Sequence, residues 1–145
     1  MQLIVKSFDE LSTRELYEIL KSRDEIFSVG QKIIYVDEDN VDYASLHFFF
    51  WKNDRVIAYL RAYRDLKHIN VVKFGRVLTL EHGQGLGKEL MEQSMAYAKE
   101  TMGCNKVALD AQIQAEGFYK KLGFVTVSSE YLEAGIPHVD MEKKL

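Results

Sequence analysis

The chain has one cysteine, one proline and four histidines in 145 residues, and no long apolar run. A lone Cys104 can form neither an internal disulfide nor a cysteine-based metal site, so a reducing cytoplasm is the expected setting. The histidines are scattered rather than tightly spaced, which gives no case for a metal centre. Of these, His68 and His82 read as loop residues. No stretch approaches the roughly 18 apolar residues needed to span a bilayer, and no basic leader precedes an apolar core, so no membrane partner is expected. Nor is there a long Lys/Arg cluster. The formal net charge of −3 argues against sequence-independent binding to nucleic acid and tolerates a cationic partner.

What is present suits a globular protein, with 47% apolar and 28% charged residues. The simplest organisation is one domain over residues 1–145, able to bury roughly two thirds of its unfolded surface. Residues 3–6 read as a short strand. Ser12 and Glu15 stand as a capping box, with Leu11 and Leu16 as a hydrophobic staple, ahead of a helix with a stripe of Leu16, Ile19, Leu20, Arg23 and Phe27. Arg23 is then a charge on an apolar face, either snorkelling to the rim or aimed into a pocket. Residues 35–45, with Asp37, Glu38, Asp39 and Asp42, read as a solvated acidic loop. Two aromatic and β-branched runs, 46–51 and 55–63, flank a turn at Asn53-Asp54 and predict a hairpin. Alternation puts His47, Phe49 and Trp51 on one face and Leu46, Phe48 and Phe50 on the other. Both faces are apolar, so this strand is expected to be internal.

A strand over 71–80 leads into Gly83-Gln84-Gly85-Leu86-Gly87-Lys88, after which Leu86, Leu90, Met91, Met95, Ala98 and Met102 recur at helical spacing up to a stop at Gly103. A strand at 106–110, a helix at 113–122 ended by Gly123, and strands at 124–127 and 136–142 complete the order β, α, ββ, β, α, β, α, β, β. This predicts an α/β (α+β mixed) fold with helices on both faces of a central sheet. The glycine segment admits two readings, a tight strand-to-helix turn or a phosphate cradle made by unpartnered first-turn amides and the helix dipole. Familiar nucleotide motifs fail on spacing. A dinucleotide fingerprint needs glycine where Lys88 stands, and a P-loop needs glycine and Ser/Thr where His82 and Glu89 stand.

Several separated signals converge on one family. The strand into Gln84-Gly85-Leu86-Gly87-Lys88, the downstream Gln112-x-x-Ala115-x-x-Phe118-Tyr119-x-x-Leu122-Gly123-Phe124 and the order of elements together resemble the GNAT superfamily of acetyl-CoA-dependent N-acyltransferases. The tail from Glu130 through Gly135-Ile136-Pro137-His138-Val139-x-Met141 looks like the ElaA-type branch. Arg23-x-x-x-Phe27, Gln31, Tyr35-x-Asp37, His47, Trp51-Lys52-Asn53 and Gly75-Arg76-Val77 do so too. The chain departs from the family pattern at His82, where Arg or Gln is usual, at Gln112, where Asn is common, and at Gly30, where the branch often has Glu. Its lead-in from Arg76 to Gly87 also looks shorter than the branch pattern by about two residues.

The resemblance implies a central mixed, mostly antiparallel sheet and direct transfer in a ternary complex, with an amine attacking the acetyl thioester and CoA leaving as a thiolate that needs a proton. Backbone at Val77, Leu78 and Thr79 would pair with the pantetheine arm like an added strand, amides of Gln84, Gly85, Leu86, Gly87 and Lys88 would face the pyrophosphate, and Gln112 would complete the cofactor site. Tyr119 sits where the family places the acid for the sulfur; a tyrosine of pKa near 10 is protonated at pH 7. His138, ahead of His47, is the candidate base. Arg23, Phe27, His47 and Arg76 are the candidate acceptor contacts, the arginines by bidentate pairing with a carboxylate. Acetyl-CoA and an amine are the implied partners, a homodimer is left open, and no metal is implied. A GNAT-shaped module that senses acyl-CoA with little turnover is the alternative.

Overall fold

A computed structural model describes residues 1–145. Eight strands form one sheet, β1 (Ile4–Ser7), β2 (Leu46–Lys52), β3 (Arg55–Arg64), β4 (Val71–Thr79), β5 (Lys106–Gln112), β6 (Val125–Thr126), β7 (Tyr131–Glu133) and β8 (Ile136–Lys144), in the order β1-β2-β3-β4-β5-β8-β6 with β7 also on β8. Every neighbouring pair is antiparallel except β4 and β5. Three helices, α1 (Thr13–Arg23), α2 (Leu86–Glu100) and α3 (Glu116–Lys121), cover it. The mixed, mostly antiparallel sheet and the helices on its faces are as the sequence predicts. No helix is long and apolar enough to cross a membrane.

Local chemistry accounts for several element ends. The Glu15 amide donates to Ser12 Oγ at 3.0 Å and the Ser12 amide to Glu15 Oε1 at 2.8 Å, so the capping box starts α1. Asn53 and Asp54 both lie at positive φ, 51° and 59°, the conformation a two-residue hairpin turn demands. Gly103 ends the segment after α2 at φ 70°.

Two apolar layers result. On the α1 side, Ile19 packs with Phe49, Val56, Tyr59 and Leu78. On the other, Phe48 and Phe50 join Leu90, Met91, Met95, Leu109 and Met141 beneath α2 and α3. Strand β2, flanked by β1 and β3 and covered on both faces, is internal as its two apolar faces require. Three elements depart from the sequence reading. The stripe through Phe27 is not one helix: α1 ends at Arg23 and the chain widens into a π-type turn over Asp24–Gly30. The 113–122 helix is a short 3-10 turn followed by α3, and the final region gains the three-residue β7.

The feature that shapes the site is a parting of strands. Parallel pairing of β4 with β5 runs from Val71 opposite Lys106 to Phe74 opposite Leu109 and stops there, although β4 continues to Thr79 and β5 to Gln112. On its other side β4 bulges, with Arg76 and Val77 standing against the single Leu60 of β3. Arg76 takes the left-handed φ of 54°, a position in such bulges usually given to glycine. The extra residue bends β4 away from β5 and leaves an open wedge.

Candidate active site

A cleft of about 490 Å³ occupies this wedge, within the size range of small-molecule sites. Gly75–Val77 of β4 form one wall and Leu109, Asp110 and Gln112 of β5 the other, α3 contributes Tyr119, β8 contributes His138, and a strap over residues 33–39 closes the side toward α1.

The strap is held by ion pairs. Arg23 donates through Nε to Asp37 Oδ2 and through Nη1 to Asp42 Oδ1, both at 2.7 Å. Arg61 grips Asp39 with two bonds of 2.7 Å and reaches Asp42 at 3.1 Å. Arg76 donates through Nε to Asp37 Oδ1 at 2.8 Å. The acidic segment is thus an exposed loop whose Asp37, Asp39 and Asp42 are ion-paired rather than free in solvent, with Glu38 left unpaired. Its carboxylates neutralise three arginines, and the hydrogen bonds from Arg61 hold Asp39 down to about 2. Burial opposes the charge of Asp42, and Arg23 and Arg61 outweigh it, so Asp42 too is lowered.

Two expected acceptor contacts are corrected by this network. Arg23 is wholly buried and its guanidinium is spent on Asp37 and Asp42, so it neither snorkels nor meets a ligand; it anchors the strap from beneath. His47 is equally buried. Its Nε2 lies 3.0 Å from the Asp42 carbonyl, which only accepts, so Nε2 carries the hydrogen and Nδ1 accepts from the Tyr59 hydroxyl at 2.7 Å. Burial lowers its pKa, and no nitrogen is left for a substrate proton. Phe27 and Arg76 do line the cleft, but Arg76 is paired with Asp37.

Tyr119 is only 7% exposed, and burial alone raises its pKa, with no hydrogen bond acting on its hydroxyl. It is a protonated donor without a partner in the protein, facing the cleft. His138 Nδ1 lies 2.7 Å from the Ile136 carbonyl, which only accepts, so Nδ1 carries a hydrogen; in the neutral ring Nε2 then holds the lone pair, and it lies 3.5 Å from Glu133 Oε2. Its ring stacks on Tyr131. Gln112, opposite His138 in the β5–β8 ladder, exchanges amide bonds of 2.9 and 3.2 Å with Gln31 across the cleft and also accepts from Gln114.

Val77 lines the cleft, Leu78 turns its side chain into the α1-side core, and Thr79 lies next to Gly87. Gln84 to Lys88 lie outside the cleft, beyond the end of β4. Gly83 and Gly85 sit at φ 77° and 72° with open space where a Cβ would be, and no side chain caps α2, so its first amides face outward unpartnered. A Cβ on Gly87 would stand 3.2 Å from Phe118 Cζ; Phe118 thus joins the loop to α3, whose next residue is Tyr119. This cradle and the wedge fit a phosphorylated ligand with an extended arm.

The sequence matches the family model of the acetyltransferase (GNAT) domain over residues 24–145. The chain belongs to the GNAT superfamily. Within it the chain is an acyltransferase of the ElaA-like branch: ElaA of Escherichia coli strain K12 is 34% identical over 140 residues, spanning 94% of this chain and 92% of ElaA. The crystal structure of E. coli ElaA superposes with a TM-score of 0.89 at 32% identity over 98% of each chain. An acyl-CoA N-acyltransferase from Pseudomonas aeruginosa gives 0.88 at 34% identity over 99% of each chain. The GNAT fold alone extends to an aminoglycoside 6'-N-acetyltransferase solved with coenzyme A, at 14% identity and a TM-score of 0.70 over 97% of this chain and 96% of that one.

Reasoning from sequence missed Asp110 and Glu133, which line the cleft beside His138. Each is an ordinary strand-borne acid in the sequence. Only the β5–β8 and β7–β8 registers bring them together.

Proposed function

We propose that the protein transfers the acetyl group of acetyl-CoA directly to a primary amine of a small molecule or peptide. The observation that carries this reading is the unpartnered Tyr119 hydroxyl in the same cleft as His138, whose Nε2 has no neighbour closer than Glu133 at 3.5 Å among its polar contacts. When bound, acetyl-CoA supplies the activated acyl group. The unpartnered edge of β4 over Val77 to Thr79 suits a pantetheine arm laid along it as an added strand, and the outward amides of Gln84 to Lys88 suit its pyrophosphate.

An alkyl amine of pKa near 10.4 must lose a proton at a cost of about 4–5 kcal/mol at pH 7 before it attacks. His138 Nε2 takes that proton, and Glu133 faces the imidazolium so formed. Attack on the thioester carbon expels the thiolate of CoA, and Tyr119 donates its proton to the sulfur. Gln112, released from Gln31, offers its amide to the arm or the acyl group.

The test is CoA release from acetyl-CoA over a panel of amines. Tyr119→Phe is expected to lower kcat at least tenfold while the KM for acetyl-CoA stays within about twofold, because general-acid help of this kind is worth about 10²–10⁴ in rate. Unchanged turnover would remove the acid role. Thermal stabilisation by CoA with no turnover of any amine would favour the acyl-CoA-sensing module instead, and stabilisation by NAD or ATP but not CoA would defeat both readings.

A further inference from the structure

The charges that line the cleft do not cancel evenly. Asp37 and Asp39 are held by Arg23, Arg61 and Arg76, and the two of these arginines that line the cleft are spent on them. Asp110 on β5 and Glu133 on β7 are the remaining carboxylates of the lining. No lysine or arginine pairs with either, and the one basic side chain within 4 Å of a Glu133 oxygen is His138, at 3.5 Å. Asp110 also stands directly across the β5–β8 ladder from Asp140, whose Oδ1 accepts from the Tyr131 hydroxyl at 2.5 Å. Like charges placed opposite one another weaken an antiparallel pair. Asp110 borders the cleft and, together with Asp140, a second groove beside it, so a cation bound at Asp110 would relieve that cost.

The rest of the lining toward the strap is apolar. Tyr35 and Val36 are 62% and 79% exposed although they border the cleft, and Phe27 and Ile33 continue the same wall. Independently of the acids, the Tyr119 side chain is more than nine-tenths buried and lines this volume, and its hydroxyl has no partner in the protein. That hydroxyl is open to the cleft rather than sealed in the core, so a ligand atom there can take its hydrogen bond.

Building on the acetyl-transfer reading above, we infer that the acceptor is an amine bearing one positive charge on an apolar or aromatic body and no carboxylate. Its ammonium is held by Asp110 and Glu133, and its body lies on the wall of Phe27, Tyr35 and Val36. A carboxylate on the acceptor would meet two arginines already neutralised by Asp37 and Asp39 and two uncompensated anions, which reverses the expectation drawn from Arg23 and Arg76 in the sequence.

Calorimetric titration of the CoA-saturated protein with 2-phenylethylamine and with phenylalanine, which adds only an α-carboxylate, tests this directly. The amine is expected to bind at least tenfold more tightly, and Asp110→Asn with Glu133→Gln is expected to weaken it at least fivefold while circular dichroism stays native. Equal affinities, tighter binding of phenylalanine, an unaffected double variant, or no binding of either compound overturns the inference. Coenzyme A release in the same samples, supplied with acetyl-CoA, judges the chemistry separately. Binding of 2-phenylethylamine without turnover supports the seat and rejects acetyl transfer, whereas turnover of phenylalanine in preference to the amine rejects the seat and keeps acetyl transfer.

Discussion

His138 and His47 carry the same ring and differ in what their nitrogens face. His47 is held between a carbonyl and a tyrosine hydroxyl, whereas one nitrogen of His138 opens toward the cleft. Sequence could rank them only by context, because the partner of a buried nitrogen is decided by tertiary packing. Asp110 illustrates a different residue-scale effect. Partial withdrawal from water, the shared hydrogen bond with Asp140 and the charges of Glu133 and Asp140 push its pKa up to about 6. The folded state therefore binds a proton more tightly here than the unfolded chain does. Its stability falls as pH rises from about 4 to about 6 and stays lower above that. Asp110→Asn should accordingly raise the melting temperature at pH 8 by about 1–3 °C, a modest figure because the side chain is partly solvated. The gain should vanish at pH 4 when melting is followed by circular dichroism; a gain of equal size at both pH values would refute this account.

At the scale of elements, the strap over residues 33–39 and the turn after it are fixed by Asp42, which is 8% exposed and shared by Arg23 and Arg61. Removing one partner of a buried ion pair leaves an uncompensated charge, which typically costs about 3–5 kcal/mol. Asp42→Ala is expected to lower stability by about that amount in urea unfolding, while Glu38→Ala, on an exposed side chain that forms no ion pair, should change it by less than about 0.5 kcal/mol. This network also marks where sequence reasoning stopped. The capping box at Ser12, the Asn53-Asp54 turn and the two-faced β2 were legible because each depends on neighbours within a few residues. The early end of α1 and the role of the acidic run were not. Asp37 meets Arg76 across 39 positions, and no local pattern announces such a pairing. Nor could a run of acids be told from a solvated face until the arginines that consume it were seen.

The whole molecule joins two charge regimes. Around the strap, arginines depress the carboxylates, Asp39 to about 2 with Asp42 also lowered. The stability these aspartates contribute is fully present above their ordinary range near 4 and is lost as pH falls toward 2. The urea midpoint should therefore fall steeply only below about pH 4, and Asp39→Asn should flatten that fall; a fall of unchanged steepness in the variant would contradict the account. Across the cleft, Asp110, Glu133 and Asp140 stand without an arginine or lysine partner, and Asp110 is shifted upward. The family-level fold was readable throughout the chain because strand order, glycine spacing and the final Gly-Ile-Pro-His segment recur along it. The contrast between the two sides of the cleft was not, since it arises from which acids find arginines. Arg76 lies at the junction of these regions. Its backbone supplies the bulge that bends β4 from β5, and its side chain ties down Asp37. Glycine could supply the bend and a lysine elsewhere could supply the tie, yet here one residue does both. The width of the wedge and the height of its roof are thereby coupled, so a substitution here that alters one necessarily tests the other.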